Sequence, residues 1–172
     1  MDKIPSQTVQ NSIDQICGIT EEADLELASQ HFFDVQPDLG GFFMEFIEDM
    51  SEEAQDLGFM MALILNKAFE DQYKKIRPMN EDEVVARFEA NEAEFESFLK
   101  INDDMIADLQ DKARAEGQPE VFNYIVEELF MSPELEPALG ANEQIHLFII
   151  CKFLIDCLNE MAKEGAPELV RH

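Results

Sequence analysis

The sequence predicts an all-α protein, a helical bundle of about eight helices in one globular domain over residues 1–172, built as two related four-helix halves packed through their long apolar helices. Three observations carry this expectation. Apolar side chains recur at spacings of three and four along nearly the whole chain, whereas alternating β-branched runs of strand length are scarce. Proline, glycine and capping residues punctuate those stretches where helices start and stop. A shift of 82 positions lays one half of the chain on the other in register. At 46% hydrophobic, with 14 Phe and 9 Met, the chain is too apolar for disorder despite its charge.

The first helix spans about residues 6–17, with Val9, Ile13, Ile16 and Cys17 on one side. Thr20 offers an N-cap oxygen for a second helix to about Asp34, and Glu21, Glu22 and Asp24 put negative charge into its positive first turn. Leu25, Ala28 and Phe32 form its stripe. Pro37 suits the first turn of the third helix, whose Leu39, Phe42, Phe43, Phe46, Ile47 and Met50 face inward. Gly40 and Gly41 weaken that helix by about 2 kcal/mol together, so close helix contact or a delayed start is expected there. Ser51 opens a long fourth helix to about Ile76, apolar all round from Phe59 to Leu65 and therefore central.

Lys74, Lys75 and Arg77 gather at the expected C-terminus of that helix, where cations meet the negative end of its dipole, and Pro78 stops it. Asn80 and Glu83 form a capping-box pattern for the next helix, with Val84, Val85, Phe88, Phe95, Phe98 and Leu99 inward and a break at Asn102. Met105, Ile106 and Leu109 continue the apolar side to about Ala115. Gly117 and Pro119 then separate it from a helix carrying Val121, Tyr124, Ile125 and Leu129. Residues 133–141 read as an irregular connection. Asn142 caps the last helix to about Glu164, closed by Gly165 and Pro167.

The internal repeat covers 6–76 and 81–164. Under the shift, Ile13, Ile16 and Ile19 fall on Phe95, Phe98 and Ile101, the Thr20 cap on Asn102, and Gln36-Pro37-Asp38 on Gln118-Pro119-Glu120. After three inserted residues, Leu63 to Lys67 meets Phe148 to Lys152. Lys67 and Lys152 are thus matched, as are Glu45 and Glu127, and each lysine is expected to reach the glutamate of its own half or to snorkel past apolar neighbours to water. Anion binding by the lysines is the sharper alternative.

Charge limits the partners. The chain carries 38 acidic against 12 basic side chains, a net of −26, and its first 66 residues hold 14 acids against the single base Lys3. Nucleic acid and anionic membranes both demand a positive surface, so neither is expected. A basic protein, a cation or solubility itself is the more natural counterpart. Cys17, Cys151 and Cys157 form no Cys-x-x-Cys pair and read as buried thiols of a reducing compartment, which makes the cytoplasm the expected location. Residues 1–12 lack the apolar run of a signal peptide, and no apolar stretch is long enough to span a bilayer.

Candidate chemistry is sparse. Glu143 and His146 stand at i and i+3, the spacing by which a carboxylate and an imidazole share a metal in di-iron bundles, but neither His31 nor His172 supplies a second copy. A hydrogen-bonded core histidine is the favoured reading of His146. Glu92, with Glu89, Asp103 and Asp104, is a candidate magnesium site on helical carboxylates, but the favoured reading is a position facing solvent or an Arg where the apolar stripe lapses between Phe88 and Phe95. No phosphate loop, nucleophile elbow or dinucleotide fingerprint is present. No catalytic, cofactor-binding or metal-ligating residue is assigned. The leading expectation is a non-catalytic protein-interaction module that binds a protein partner, or itself, through an acidic rim or an apolar groove between its halves. Phe32, Phe33, Phe43, Phe59, Met60 and Met61 would line such a groove if exposed. The alternative is a Mg- or Mn-dependent hydrolase using helical carboxylates.

Overall fold

Each run of apolar residues at helical spacing forms a helix, and the computed structural model describes residues 2–132 and 139–165, with nine α-helices and no strand among them. The connection at 133–138, the stop at Pro167 and His172 lie outside the described residues. In chain order the helices are α1 (Ser6–Cys17), α2 (Glu22–Val35), α3 (Pro37–Ile47), α4 (Glu52–Gln72), α5 (Glu81–Ala90), α6 (Glu92–Phe98), α7 (Asp103–Glu116), α8 (Pro119–Phe130) and α9 (Ala141–Gly165).

The two longest helices, α4 and α9, pack against each other at the centre; α1 lies along α4 and α8 along α9. Burial on all sides follows from their sequences. Met61 to Leu65 on α4 and Leu147 to Cys151 on α9 are buried without interruption, as expected of helices with no polar face. Close approach needs Gly58, because a Cβ there would meet Leu147 Cδ2 at 2.9 Å. No helix of the described residues is long and apolar enough to cross a membrane.

Phe153 of α9 anchors the aromatic part of the core. Its ring lies 5.6 Å from Phe42, 5.4 Å from Phe88 and 6.0 Å from Phe95. This cluster explains why the helix expected over about 81–100 breaks at Asn91 as well as at Asn102. Phe88 and Phe95 are seven residues apart, about 10.5 Å along a straight helix, yet their rings sit 5.0 Å apart. The helix bends at Asn91 (φ −101°, ψ 3°), and both rings meet Phe153. Val85 and Leu99, expected inward, are exposed.

Several ends differ from expectation. The Asn80 capping box and the Ser51 and Asn102 caps form. Thr20 does not cap α2, which starts at Glu22 with no side-chain cap. Helix α4 ends at Gln72, so Lys74, Lys75 and Arg77 lie beyond its last turn, on an extended link. The chain leaves the helix at Tyr73, which bonds the Asp2 carbonyl, and Arg77 clamps two helices. Its guanidinium donates to Glu83 at 2.7 and 2.8 Å and to Glu164 at 2.5 and 2.9 Å. Helix α9 begins at Ala141, which places Asn142 inside its first turn.

The Arg77 clamp predicts a pH dependence. Hydrogen bonds from Arg77 and from the Asn80 backbone hold the Glu83 carboxyl at about 2, below its ordinary 4.5. A depressed carboxyl contributes stability above its unfolded pKa and loses it as pH falls through the folded one. Acid titration of the melting temperature should therefore fall more steeply between about pH 4.5 and 2 in the parent than in Arg77→Leu. Parallel curves for the two proteins would contradict the clamp.

Glycines 40 and 41 have different roles. A Cβ on Gly40 would meet the Phe33 ring at 2.9 Å, whereas one on Gly41 would meet nothing within 4 Å. Gly40 thus lets α3 cross closely over α2, and nothing in the structure explains Gly41. Chemical denaturation should show Gly41→Ala gaining about 1 kcal/mol from helix propensity alone. Gly40→Ala should lose about 1 kcal/mol, because Phe33 must move from its stack on Phe59.

Gln36 and Gln118 link the two halves of the chain. Both are buried, 1% and 3% exposed, and each immediately precedes the proline that opens α3 or α8. The Gln36 carbonyl oxygen accepts the Met79 N–H at 3.0 Å, and its amide donates to the Arg77 carbonyl at 3.1 Å. The Gln118 oxygen accepts the Ile4 N–H at 2.9 Å, while its amide donates to Tyr73 Oη at 2.7 Å and Asn159 Oδ1 at 2.9 Å. Met79 lies two residues before α5 and Ile4 two before α1, and both are buried. Each glutamine therefore holds the lead-in to the first helix of the opposite half of the chain.

Candidate functional site

Helices α2 and α7, each of 14 residues, are the outer layer: α2 buries only Phe32, and α7 buries no residue fully. Their composition dictates this, because charged and small residues interrupt the apolar stripe and leave too narrow a face for the core. Leu25, expected inward, is 37% exposed and Leu27 is 69% exposed. Under each outer helix a groove opens against a central one.

The first groove, of about 420 Å³, lies between α1, α2 and α4. Its apolar lining includes Ile16, Ala28, Phe32 and Leu63, with Leu27 among the residues around it. On its polar side the His31 ring nitrogen Nε2 lies 2.7 and 2.9 Å from the two Glu70 oxygens, and Asn66 donates to Glu70 at 2.9 Å. Lys67 meets Asp71 at 3.4 Å.

The second groove, of about 480 Å³, runs between the α5–α6 bend, α7 and α9. At its floor Lys152, with 13% of its side chain exposed, donates to Asp156 at 2.9 Å and pairs with Glu94 at 3.0 Å. Its ammonium also stands 6.0 Å from the centre of the Phe98 ring. Burial works to lower the Lys152 pKa, but Asp156 and Glu94 together outweigh it and raise the value above the ordinary range. Arg87 pairs with Glu160 across the same groove.

The lysine pairing expected from the sequence is thus corrected. Lys67 and Lys152 bond to Asp71 and Asp156, four residues on along their own helices, and not to Glu45 and Glu127, which are exposed. An i,i+4 partner lies one turn away on the same face. The repeated Lys-x-x-x-Asp was the signal available and missed.

The carboxylate candidates are dispersed. Glu89, Glu92, Asp103 and Asp104 all face solvent. Glu143 is committed to the start of α4, accepting from the Ser51 backbone N–H at 2.8 Å and its hydroxyl at 3.0 Å. His146 is half-buried, with Nδ1 2.7 Å from the Asn142 carbonyl and its ring beside Phe46. Among the described residues no group of three or more His, Cys, Asp or Glu is placed to hold a metal ion. Cys151 and Cys157 are buried, which pushes both thiols well above their ordinary range. Cys17, expected buried, is exposed beside Met60. Of the residues expected to line a groove if exposed, Phe32, Phe43 and Met61 are buried, whereas Phe33, Phe59 and Met60 are half-buried; of the six, Phe32 is the one that reaches the first groove.

Comparison with protein families, with curated proteins and with solved structures finds no match to this chain. Its functional reading rests on the two grooves and the charge around them.

Proposed function

We propose that the chain is a cytoplasmic, non-catalytic module that binds another protein, and that the groove between α1, α2 and α4 receives a basic amphipathic segment of that partner. The observation that carries this is Leu27, 69% exposed beside an open apolar groove, in a part of the chain with 14 acids and one lysine over 66 residues. An apolar partner residue would cover Leu27, Ala28 and Leu63, and burying one such side chain contributes about 2 kcal/mol. Lysines and arginines flanking it would meet Glu22, Asp24 and Glu26, which stand exposed on α2 and would also speed the encounter. Nucleic acid and anionic membranes are not the partners in this reading.

Fluorescence anisotropy with a labelled peptide of repeating Lys-Leu-Leu-Lys units tests it. Binding should weaken with salt and fall about tenfold in Leu27→Asp, an exposed change that leaves the core intact. A peptide that binds both proteins equally would defeat the proposal, and so would a Leu27-dependent dimer of the protein itself, which would put a second copy in the groove.

We also infer that the single domain is a duplication of one helical unit, over 6–76 and 81–164. Support comes from α2 and α7, equal in length and outermost, from Pro37 and Pro119 at the first turns of α3 and α8, and from the reciprocal hold of Gln36 and Gln118. The two grooves correspond as well, with Leu27 matched to Leu109 and Lys67 to Lys152.

A further inference from the structure

The lining of the second groove balances four basic side chains against four carboxylates in a chain that is otherwise strongly acidic. Arg87, Lys112, Lys152 and Lys163 line it, four of the 12 Lys and Arg residues in a protein with 38 acids. Two of the four are already committed, Arg87 to Glu160 and Lys152 to Glu94 and Asp156. Those pairs also use three of the four carboxylates that line the groove, leaving Glu116. Lys112 on α7 and Lys163 on α9 are exposed and make no ion pair among the described residues. Outside those pairs two ammonium groups face one carboxylate, and the lining as a whole is neutral, whereas the chain carries −26.

We propose that this groove binds a small organic phosphate, its dianionic head held between Lys112 and Lys163 and its body resting on Leu109, Phe122 and Ile155. Two ammonium groups on different helices suit a dianion better than a single carboxylate, and a phosphate monoester offers three strong acceptor oxygens. Asn159 adds a donor: its Oδ1 already accepts from Gln118 at 2.9 Å, which leaves its NH₂ for a ligand. A cavity of about 480 Å³ lies in the range of small-molecule sites. At 0.15 M salt the Debye length is about 8 Å, so the field of acids outside the groove is screened, and of the carboxylates that line it all but Glu116 are paired with Arg87 or Lys152. This proposal is independent of peptide binding at the first groove.

Titration of the isotope-labelled full chain with glycerol 3-phosphate, inorganic phosphate and glycerol, followed by backbone amide NMR shifts at 0.15 M salt, tests it. Glycerol 3-phosphate should give saturable shifts centred on Asn91, Lys112, Asn159 and Lys163. Inorganic phosphate, lacking a body, should act on the same amides more weakly, and glycerol should do nothing. The double variant Lys112→Glu, Lys163→Glu should bind about tenfold more weakly, while Lys67→Glu in the first groove should bind as the parent does. Shifts that never saturate, that spread equally over Lys3, Lys74, Lys75 and Lys100, or that persist at full affinity in the double variant would overturn the assignment. Inorganic phosphate binding as tightly as the ester would overturn the role of the apolar floor.

Discussion

Phe153→Ala is expected to lower the free energy of unfolding by about 4 kcal/mol, a large part of the 5–15 kcal/mol that holds a typical domain. Phe153 has no exposed surface, and its ring touches α3, α5 and α6 through Phe42, Phe88 and Phe95. Removing it leaves a void that three rings on three helices cannot fill together, because each is tied to its own helix. Urea denaturation at two wavelengths measures the loss. A change under about 1 kcal/mol would mean that the α5–α6 bend relaxes into the space, which would contradict its being shaped around this ring.

Gln118→Ala should cost about 3 kcal/mol, at the upper end for one buried polar residue, because it leaves unpaired the Ile4 N–H and loosens Tyr73 and Asn159 together. Hydrogen exchange should show the Ile4 amide, and with it the start of α1, losing protection while α3 and α5 keep theirs. Gln36→Ala should do the reverse, releasing Met79 and the start of α5. If both variants loosened both ends alike, the two glutamines would not act as separate holds.

Helix positions were legible because apolar spacing and punctuation agree at most points. Pro37 and Pro119 open helices, Asn80 and Asn102 cap them, and the stretch from Met61 to Leu65, apolar on every side, lies at the centre. The bend at Asn91 was not legible, since periodicity runs across it and only the meeting of Phe88 and Phe95 on Phe153 demands it. The end of α4 was misjudged for a related reason. Lys74 and Lys75 suit a helix C-terminus, but the long-range bonds of Tyr73 and Arg77, on either side of them, hold the chain out of the helix. The repeated Gln-Pro-acid stood out in the sequence, yet its meaning required knowing that Ile4 and Met79 lie under it. The grooves were least visible of all. They depend on where α2 and α7 sit on the bundle, which weak apolar stripes leave to tertiary packing.

The hold of Gln118 on Ile4 joins residues 114 apart in the chain. During synthesis at roughly 5–20 residues per second, Ile4 leaves the ribosome on the order of ten seconds before its partner exists. For that interval its apolar side chain and the beginning of α1 must wait without their final seat. Nascent chains cut short of Gln118 should therefore be digested by protease at α1, and those extended past α9 should resist.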